Sequence, residues 1–132
     1  MTPCILISDT QLANRRMLRF AMNLKGCEVI ESADADEVLA IMRQQRVDLL
    51  LVSLYPHERD GYGVLEKLRD EYSPDRLPVI LIGDMVLRSD FDPLLWCGRA
   101  WLDRPFRVSD LMSLVDDIVG QPEQGSESQS TK

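Results

Sequence analysis

The sequence is poor in basic residues and has a single histidine. Its 15 Lys and Arg are outnumbered by 22 Asp and Glu, which gives a formal net charge of -7. A nucleic-acid surface needs clustered Lys and Arg, so this balance argues against a DNA or RNA partner. His57 is the only histidine, and no Ser-His-Asp set, no thiol with a histidine base and no zinc motif can be assembled from the sequence. We therefore expect a protein that is not an enzyme and has no catalytic residue.

Long hydrophobic runs and glycine-rich phosphate loops are also missing. The longest apolar stretches, such as 49–52 and 79–82, are far too short to span a bilayer. The chain does not open with the charged and then apolar segment of a secretory signal, so we expect a cytoplasmic protein with no membrane partner. Neither a GxGxxG pattern nor a P-loop occurs, which weakens the case for a nucleotide site.

Cysteine is scarce, since Cys4, Cys27 and Cys97 are the only three and lie far apart. An odd number of cysteines in apolar surroundings is typical of reduced thiols in a core. A disulfide framework or a metal site would need paired or closely spaced cysteines. We therefore expect three reduced thiols packed in the interior.

Apolar residues are abundant enough for one core. The 132 residues are 45% hydrophobic and 28% charged, which predicts a single globular domain. Short apolar runs of the length of strands buried on both faces occur at 5–7, 29–30, 49–52, 79–82 and 100–102. Between them, apolar residues recur at helical spacing over 17–24, 38–42, 64–72 and 111–118. Because strands separated by helices are joined by right-handed crossovers, the pattern predicts an α/β fold, a doubly wound five-stranded parallel sheet with helices on both faces.

The segment before the last predicted strand is irregular. Asp92-Pro93 interrupts it, and proline is tolerated in the first turn of a helix but breaks its interior. We expect a loop followed by a short fourth helix from about Pro93 to Cys97. After Val119 the chain has no apolar residue to bury, so residues 121–132 are predicted to be a disordered tail and residues 1–120 the folded domain.

The third predicted strand and the loop after it resemble those of response-regulator receiver domains, the CheY-like family with a flavodoxin-like fold. The similar stretch runs from Asp48 to Gly61 and keeps the Asp60-Gly61 pair of that family. In the family this strand ends in an aspartate that takes a phosphoryl group from a histidine kinase, and here that position is Ser53. The resemblance covers roughly residues 4 to 119. It implies a receiver that has lost its phospho-acceptor, a degenerate pseudo-receiver.

Other positions of the family's phosphorylation pocket differ as well. Members have two acidic residues after the first strand that hold a magnesium ion, and here the pair reads Ser8-Asp9. The fourth strand ends in Gly83 instead of the Thr or Ser that tracks the phosphoryl group. After the fifth strand, Arg104 replaces the lysine that precedes the family's cis proline, here Pro105. The resemblance therefore implies a pocket in which four of five positions have changed together.

These changes affect both the nucleophile and the metal. Ser53 is an unactivated hydroxyl, and no histidine or lysine in these motifs is placed to take its proton. Magnesium prefers octahedral oxygen coordination with one or two carboxylates. The candidate ligands in this pocket are the Asp9 carboxylate, the carboxylate of Asp84 or Asp60, and the Tyr55 carbonyl. We expect weak or absent magnesium binding, with Asp9 as the residual metal candidate, and no other cofactor.

Two side chains are expected to take over the pocket. A guanidinium binds a carboxylate in bidentate fashion, so we expect Arg104 and Asp9 to pair across the top of the sheet. In receivers an aromatic residue on the fifth strand turns inward on phosphorylation, and Trp101 holds that position. Because Gly83 leaves space nearby, Trp101 is expected to keep one rotamer, and the alternative is a packing residue with no switching role.

Two surface features each have a functional and a structural interpretation. Phe91, Leu94, Leu95 and Trp96 are unusually apolar for the fourth helix, which lies on the signalling face of receivers. They either pack inward or form an interface that recruits a partner or a second copy. The arginines within 15–19 form either a docking patch for an acidic partner or the solvated face of the first helix.

Three functions stay open. The first is a phosphorylation-independent pseudo-receiver, a protein-interaction module of a bacterial two-component or phosphorelay pathway, whose partner is a histidine kinase, an output protein or a second copy. The second is a working receiver with Asp9, Asp60 or Asp84 as an unusual acceptor. The third is a small-ligand-binding regulatory domain, because the carboxyl ends of parallel strands form a crevice.

His57 lies beside the pocket and is interpreted as a solvated loop residue, with a phospho-acceptor or ligand role as the alternative.

Overall fold

A computed structural model of the chain describes residues 2–56, 60–72, 76–84 and 100–120. Within these ranges, five strands alternate with helices. The strands are β1 (Cys4–Ser8), β2 (Glu28–Ser32), β3 (Leu49–Ser53), β4 (Val79–Gly83) and β5 (Ala100–Asp103). The helices are α1 (Leu12–Leu24), α2 (Ala35–Gln44), α3 (Asp60–Glu71) and α4 (Val108–Val119). Every predicted strand, and every predicted helix within the described ranges, is confirmed.

The strands form one parallel sheet in the order β2-β1-β3-β4-β5. The register places Leu6 beside Leu50 and Leu51 beside Ile80, so the central strands are apolar along their whole length. Parallel neighbours cannot be joined by a tight turn, and the helices supply the crossovers. The predicted doubly wound sheet is confirmed, and it brings the carboxyl ends of β1, β3, β4 and β5 to one edge.

Side chains alternate between the two faces of the sheet, and each face has its own core. One face carries Leu6, Leu50 and Val52, which pack with side chains of α2 and α3. The opposite face carries a second set of strand residues, which pack with α1 and α4. These residues of the second face are Ile5, Ile7, Leu49, Leu51, Ile80 and Ile82. Burial on both faces explains why the strands read as continuous apolar runs rather than as alternating ones.

Helix α1 does not bury all of its apolar residues. Leu18, Ala21 and Met22 pack against the sheet, whereas Phe20 and Leu24 are each 65% exposed. The large hydrophobic side chains that are exposed in the described part of the chain all belong to α1 or to the start of α4: Leu12, Met17, Phe20, Leu24 and Val108. We call these five residues the α1 face. Clustering of exposed apolar side chains on one side of a small protein is typical of an interaction surface.

The thiol prediction is confirmed for Cys4 and Cys27, which are buried and free. Burial raises the pKa of both thiols, so both are protonated and unreactive at neutral pH. None of the four described helices has the length and apolar character needed to cross a bilayer. Some predictions lie outside the described residues, namely those for the short helix at 93–97, for Phe91, Leu94, Leu95 and Trp96, for His57 and Cys97, and for the tail 121–132.

Candidate functional site

Polar residues follow four parallel strands where these strands end. Asp9 follows β1, Ser53 ends β3, Asp84 follows β4 and Arg104 follows β5. Because the strands are parallel, all four residues reach the same edge of the sheet, and all four line one cavity of about 580 Å³. We call it the edge cavity. Of the pocket positions predicted from the sequence, the structure brings Asp9, Ser53 and Arg104 together at this cavity, and Asp84 joins them.

Two of the predicted pocket positions do not line the edge cavity. Ser8 is buried in the last position of β1, in register with Ser32 and Val52. Gly83 is buried at the end of β4 and pairs with Asp103. Both residues belong to strands of the sheet, and neither is among the residues that line the cavity.

Asp9 is the most buried charged residue of the site, with 2% of its surface exposed. Its Oδ1 accepts hydrogen bonds from the backbone N–H of Gln11 and from the Tyr55 hydroxyl, both at 2.8 Å. Its Oδ2 is buried and has no hydrogen-bond partner among the described residues. A buried carboxylate oxygen without a donor is costly, so Asp9 is only half satisfied by its own chain.

Tyr55 is the residue that the sequence did not indicate for this role. It lies two positions after the end of β3, and its hydroxyl also accepts a hydrogen bond from Asn14 Nδ2 at 2.7 Å. Tyr55 thereby links α1 to Asp9 across the mouth of the pocket. Burial raises the pKa of Tyr55 to about 12; the Asn14 hydrogen bond opposes this shift, and the hydrogen bond to the Asp9 carboxylate adds to it. In a sequence, an aromatic residue just after a strand is only a weak indication of a functional site, since many loops contain one.

The predicted pairing of Arg104 with Asp9 is wrong. Arg104 Nη1 instead donates to the Leu54 carbonyl at 2.7 Å, and Nη2 donates to the Ile82 carbonyl at 3.3 Å. The guanidinium also lies 4.2 Å from the centre of the Tyr55 ring and 3.5 Å from Asp84 Oδ1. The physical reason is that the Tyr55 hydroxyl and the Gln11 N–H already occupy Asp9 Oδ1 and Oδ2 is buried, while the Leu54 and Ile82 carbonyls match the planar guanidinium fork.

Trp101 is partly buried and packs against the core on the α2 and α3 side of the sheet. Its indole Nε1 donates to Asp103 Oδ1 at 2.5 Å. An indole N–H with a partner on the same strand holds the ring in one orientation. Trp101 therefore packs on the α2 and α3 side of the sheet, and its role as a switch aromatic stays a prediction.

Magnesium, which the family resemblance implies, fits these residues poorly. It needs near-octahedral oxygen ligands, usually with one or two carboxylates. Asp9 Oδ2 is one free carboxylate oxygen, but Asp84 faces Arg104, whose positive charge stands in the same cavity. Over the described ranges, no group of three or more His, Cys, Asp or Glu side chains could hold a metal ion.

Titration of Tyr55 is the first test of this geometry. We expect the Tyr55 phenol to ionise with a pKa of about 12. Since the folded pKa lies above the ordinary value of about 10, the contribution of Tyr55 to stability is present below about pH 10 and is lost as the pH rises towards 12. Phenolate absorbance after rapid alkaline mixing measures this, with Tyr55→Phe to identify the transition. A Tyr55 that titrates at the ordinary tyrosine value of about 10 would contradict the buried hydrogen bond to Asp9.

Sequence comparison identifies the family. The family described as the response regulator receiver domain matches residues 5–115. The chain is 31% identical over 119 residues to the probable transcriptional regulator ycf27 of Cyanophora paradoxa, covering 90% of this chain and 49% of that protein. It is 23% identical over 121 residues to the polar-differentiation response regulator DivK of Brucella ovis, covering 91% and 98%. The chain spans about half the length of the ycf27 regulators that it matches.

Solved structures agree on the fold. The response regulator protein TrrA of Thermotoga maritima, in complex with Mg2+-BeF, superimposes with a TM-score of 0.76 at 19% identity, covering 89% of this chain and 99% of that one. At this identity the likeness concerns the fold alone. Together with the match over residues 5–115, the parallel sheet and the strand-end site show that the chain belongs to the response regulator receiver domain family, whose members are signalling modules of two-component systems rather than enzymes.

Proposed function

We propose that this receiver acts as a phosphorylation-independent protein-interaction module in two-component or phosphorelay signalling. The observation that carries the proposal is the end of β3, where a serine stands at the position of the family's acceptor aspartate. The Ser53 hydroxyl makes no hydrogen bond to any described residue, so no described side chain is in place as a general base to take its proton. A serine without a base is a poor nucleophile at neutral pH.

The rest of the pocket supports the same proposal. Arg104 is bound to the carbonyls of Leu54 and Ile82, where the family has a lysine. A guanidinium held by two carbonyls is not free to follow a phosphoryl group. Magnesium is proposed to bind weakly or not at all, because Ser8 and Ser53 stand where the family has carboxylates, which leaves Asp9 with the main free carboxylate oxygen.

The α1 face is the surface we propose for the partner. It combines exposed apolar side chains, above all Phe20 and Leu24, with the exposed Arg16 and Arg19 of the same helix. Arg19 is paired with Glu31, and Arg16 has no partner among the described residues. In a chain of net charge -7, a basic apolar helix fits a partner segment that is apolar and acidic. We propose a cytoplasmic histidine kinase or output protein as that partner, and self-association is the alternative that the concentration dependence of binding distinguishes.

Intact mass after incubation with acetyl phosphate and magnesium tests the central part of the proposal. We expect no mass increase that corresponds to a phosphoryl group, because the site has neither an acceptor carboxylate on β3 nor a full magnesium shell. Stable phosphorylation would support the second function, a working receiver with an unusual acceptor. Asp9→Asn, Asp84→Asn and Asp60→Asn variants would then identify the carboxylate, and Ser53→Ala would test the hydroxyl.

A further inference from the structure

The Asp9 carboxylate is closed to a cation at both of its oxygens. Oδ2 is buried, and the whole residue is 2% exposed. Oδ1 accepts from the backbone N–H of Gln11 and from the Tyr55 hydroxyl, both at 2.8 Å. A carboxylate oxygen has about two acceptor sites, so both sites of Oδ1 are in use. Because magnesium bonds directly to its oxygen ligands, it can reach Oδ1 only by displacing one of the two donors.

The two donors to Oδ1 differ in how far they depend on residue type. Gln11 donates through its backbone N–H at the N-cap of α1, and any residue other than proline can supply that group. The donor of Tyr55 is the hydroxyl of its side chain, which reaches from the segment after β3 to the residue after β1. The identity of residue 55 therefore determines whether one acceptor site of Oδ1 is free.

Two further contacts hold the Tyr55 side chain in this position. Asn14 Nδ2 donates to its hydroxyl at 2.7 Å, and the hydroxyl in turn donates to Asp9. The Arg104 guanidinium lies 4.2 Å from the centre of the ring and is itself bound to the Leu54 carbonyl at 2.7 Å. A side chain held at its hydroxyl and at its ring face loses little further entropy when it donates to a carboxylate. Since a hydrogen bond to an ionised acceptor is also strong, a cation has to compete with a preorganised donor.

We infer that Tyr55 excludes divalent cations from this pocket, because its hydroxyl occupies the acceptor site of Asp9 that a metal ion would need. The missing carboxylates at Ser8 and Ser53 and the presence of Tyr55 are then separate barriers to magnesium. The inference rests on the proposed function for its premise that this pocket binds magnesium weakly or not at all, and it adds a cause that does not depend on position 53. A carboxylate restored at position 53 alone therefore does not restore a metal site.

Calorimetric titration of full-length variants with magnesium chloride tests the inference. Ser53→Asp alone is expected to bind magnesium weakly, because Tyr55 still occupies Asp9 Oδ1. Ser53→Asp combined with Tyr55→Ala should bind at least about tenfold more tightly, since a charge-assisted hydrogen bond no longer competes with the cation. Ser53→Asp combined with Tyr72→Ala is the matched control. Tyr72 packs with the core on the α2 and α3 side and does not line the edge cavity, so its loss should leave the affinity of Ser53→Asp unchanged.

Two outcomes would overturn the inference. Equal magnesium affinity of Ser53→Asp with and without Tyr55→Ala would show that the hydroxyl does not exclude the metal. A gain in affinity that persists after a further Asp9→Asn substitution would show that the metal does not bind through Asp9. If the Tyr55→Ala chain does not fold, Tyr55→Phe serves instead, because it removes only the hydroxyl and keeps the ring against Arg104, and it should also bind magnesium more tightly than Ser53→Asp alone. The proposed function is tested on the chain with Ser53, whereas this inference is tested by a difference between two Ser53→Asp chains, so either can fail without the other.

Discussion

Replacing Arg104 by alanine is expected to lower the free energy of unfolding by about 2–4 kcal/mol. The guanidinium donates to the carbonyl of Leu54, which follows β3 and is fully buried, and to the carbonyl of Ile82 in β4, which also accepts from the Leu54 N–H. Without it, buried acceptors lose a charged donor, and the Tyr55 ring loses a cation at 4.2 Å. The 3.5 Å contact with the partly exposed Asp84 adds little. Urea denaturation followed by circular dichroism measures the change.

Two variants make the Arg104 result interpretable. Arg107→Ala removes an exposed arginine near the same loop and should change stability by less than about 0.5 kcal/mol. Arg104→Lys, which restores the residue type of the family, should recover only part of the loss, because an ammonium cannot span two carbonyls as a planar fork does. If Arg104→Ala costs no more than Arg107→Ala, Arg104 does not hold the strand ends together as described.

Replacing Gly61 by alanine is expected to destabilise the fold by about 1–3 kcal/mol, despite the better helix propensity of alanine. A Cβ at Gly61 would lie 2.7 Å from the Ser53 carbonyl oxygen and 2.6 Å from Leu54 Cδ2. The leucine side chain can move, but the backbone oxygen at the end of β3 cannot move without shifting the site. Thermal unfolding gives the stability, and amide NMR shifts of Ser53 and Leu54 report the displacement.

Gly120 provides the matched glycine control. It lies at the C-cap of α4 with φ +78, and a Cβ there would contact nothing within 4 Å. Gly120→Ala should therefore cost only the strain of a positive φ, about 1 kcal/mol, and should leave the amide shifts of β3 unchanged. Equal effects of the two substitutions, with no shift at Ser53, would contradict the close packing of α3 on the end of β3.

The sheet could be predicted from the sequence because its strands are buried on both faces. Runs such as 49–52 and 79–82 have no polar alternation, and the helical segments between them fix the parallel direction. The same topology fixes which residues meet at the carboxyl edge. For this reason Asp9, Ser53 and Arg104 could be assigned to one site without a structure.

The contacts within the site could not be predicted in the same way. A position at a strand end does not determine where a long side chain points, so Arg104 could reach either Asp9 or the neighbouring carbonyls. Tyr55 determines that Arg104 contacts the carbonyls and not Asp9, because the Tyr55 hydroxyl donates a hydrogen bond to Asp9 while the Tyr55 ring lies against the guanidinium. Spacing on α1 likewise predicts amphipathicity but not that Phe20 and Leu24 stay exposed. Whether an apolar residue of a helix is buried depends on which other elements pack against that helix in the folded chain, and helical spacing does not specify this.

Titration with magnesium and then beryllofluoride, followed in the amide NMR spectrum, tests most directly whether this receiver works without phosphorylation. Beryllofluoride forms a phosphoryl-like adduct with an acceptor carboxylate beside a bound metal, and β3 ends here in Ser53. We predict that the resonances of Ser53, Asp84 and Arg104 do not change in a saturable way. Saturable shifts of these resonances that extend to Trp101 would contradict this account and would show a receiver whose pocket still responds to a phosphoryl group.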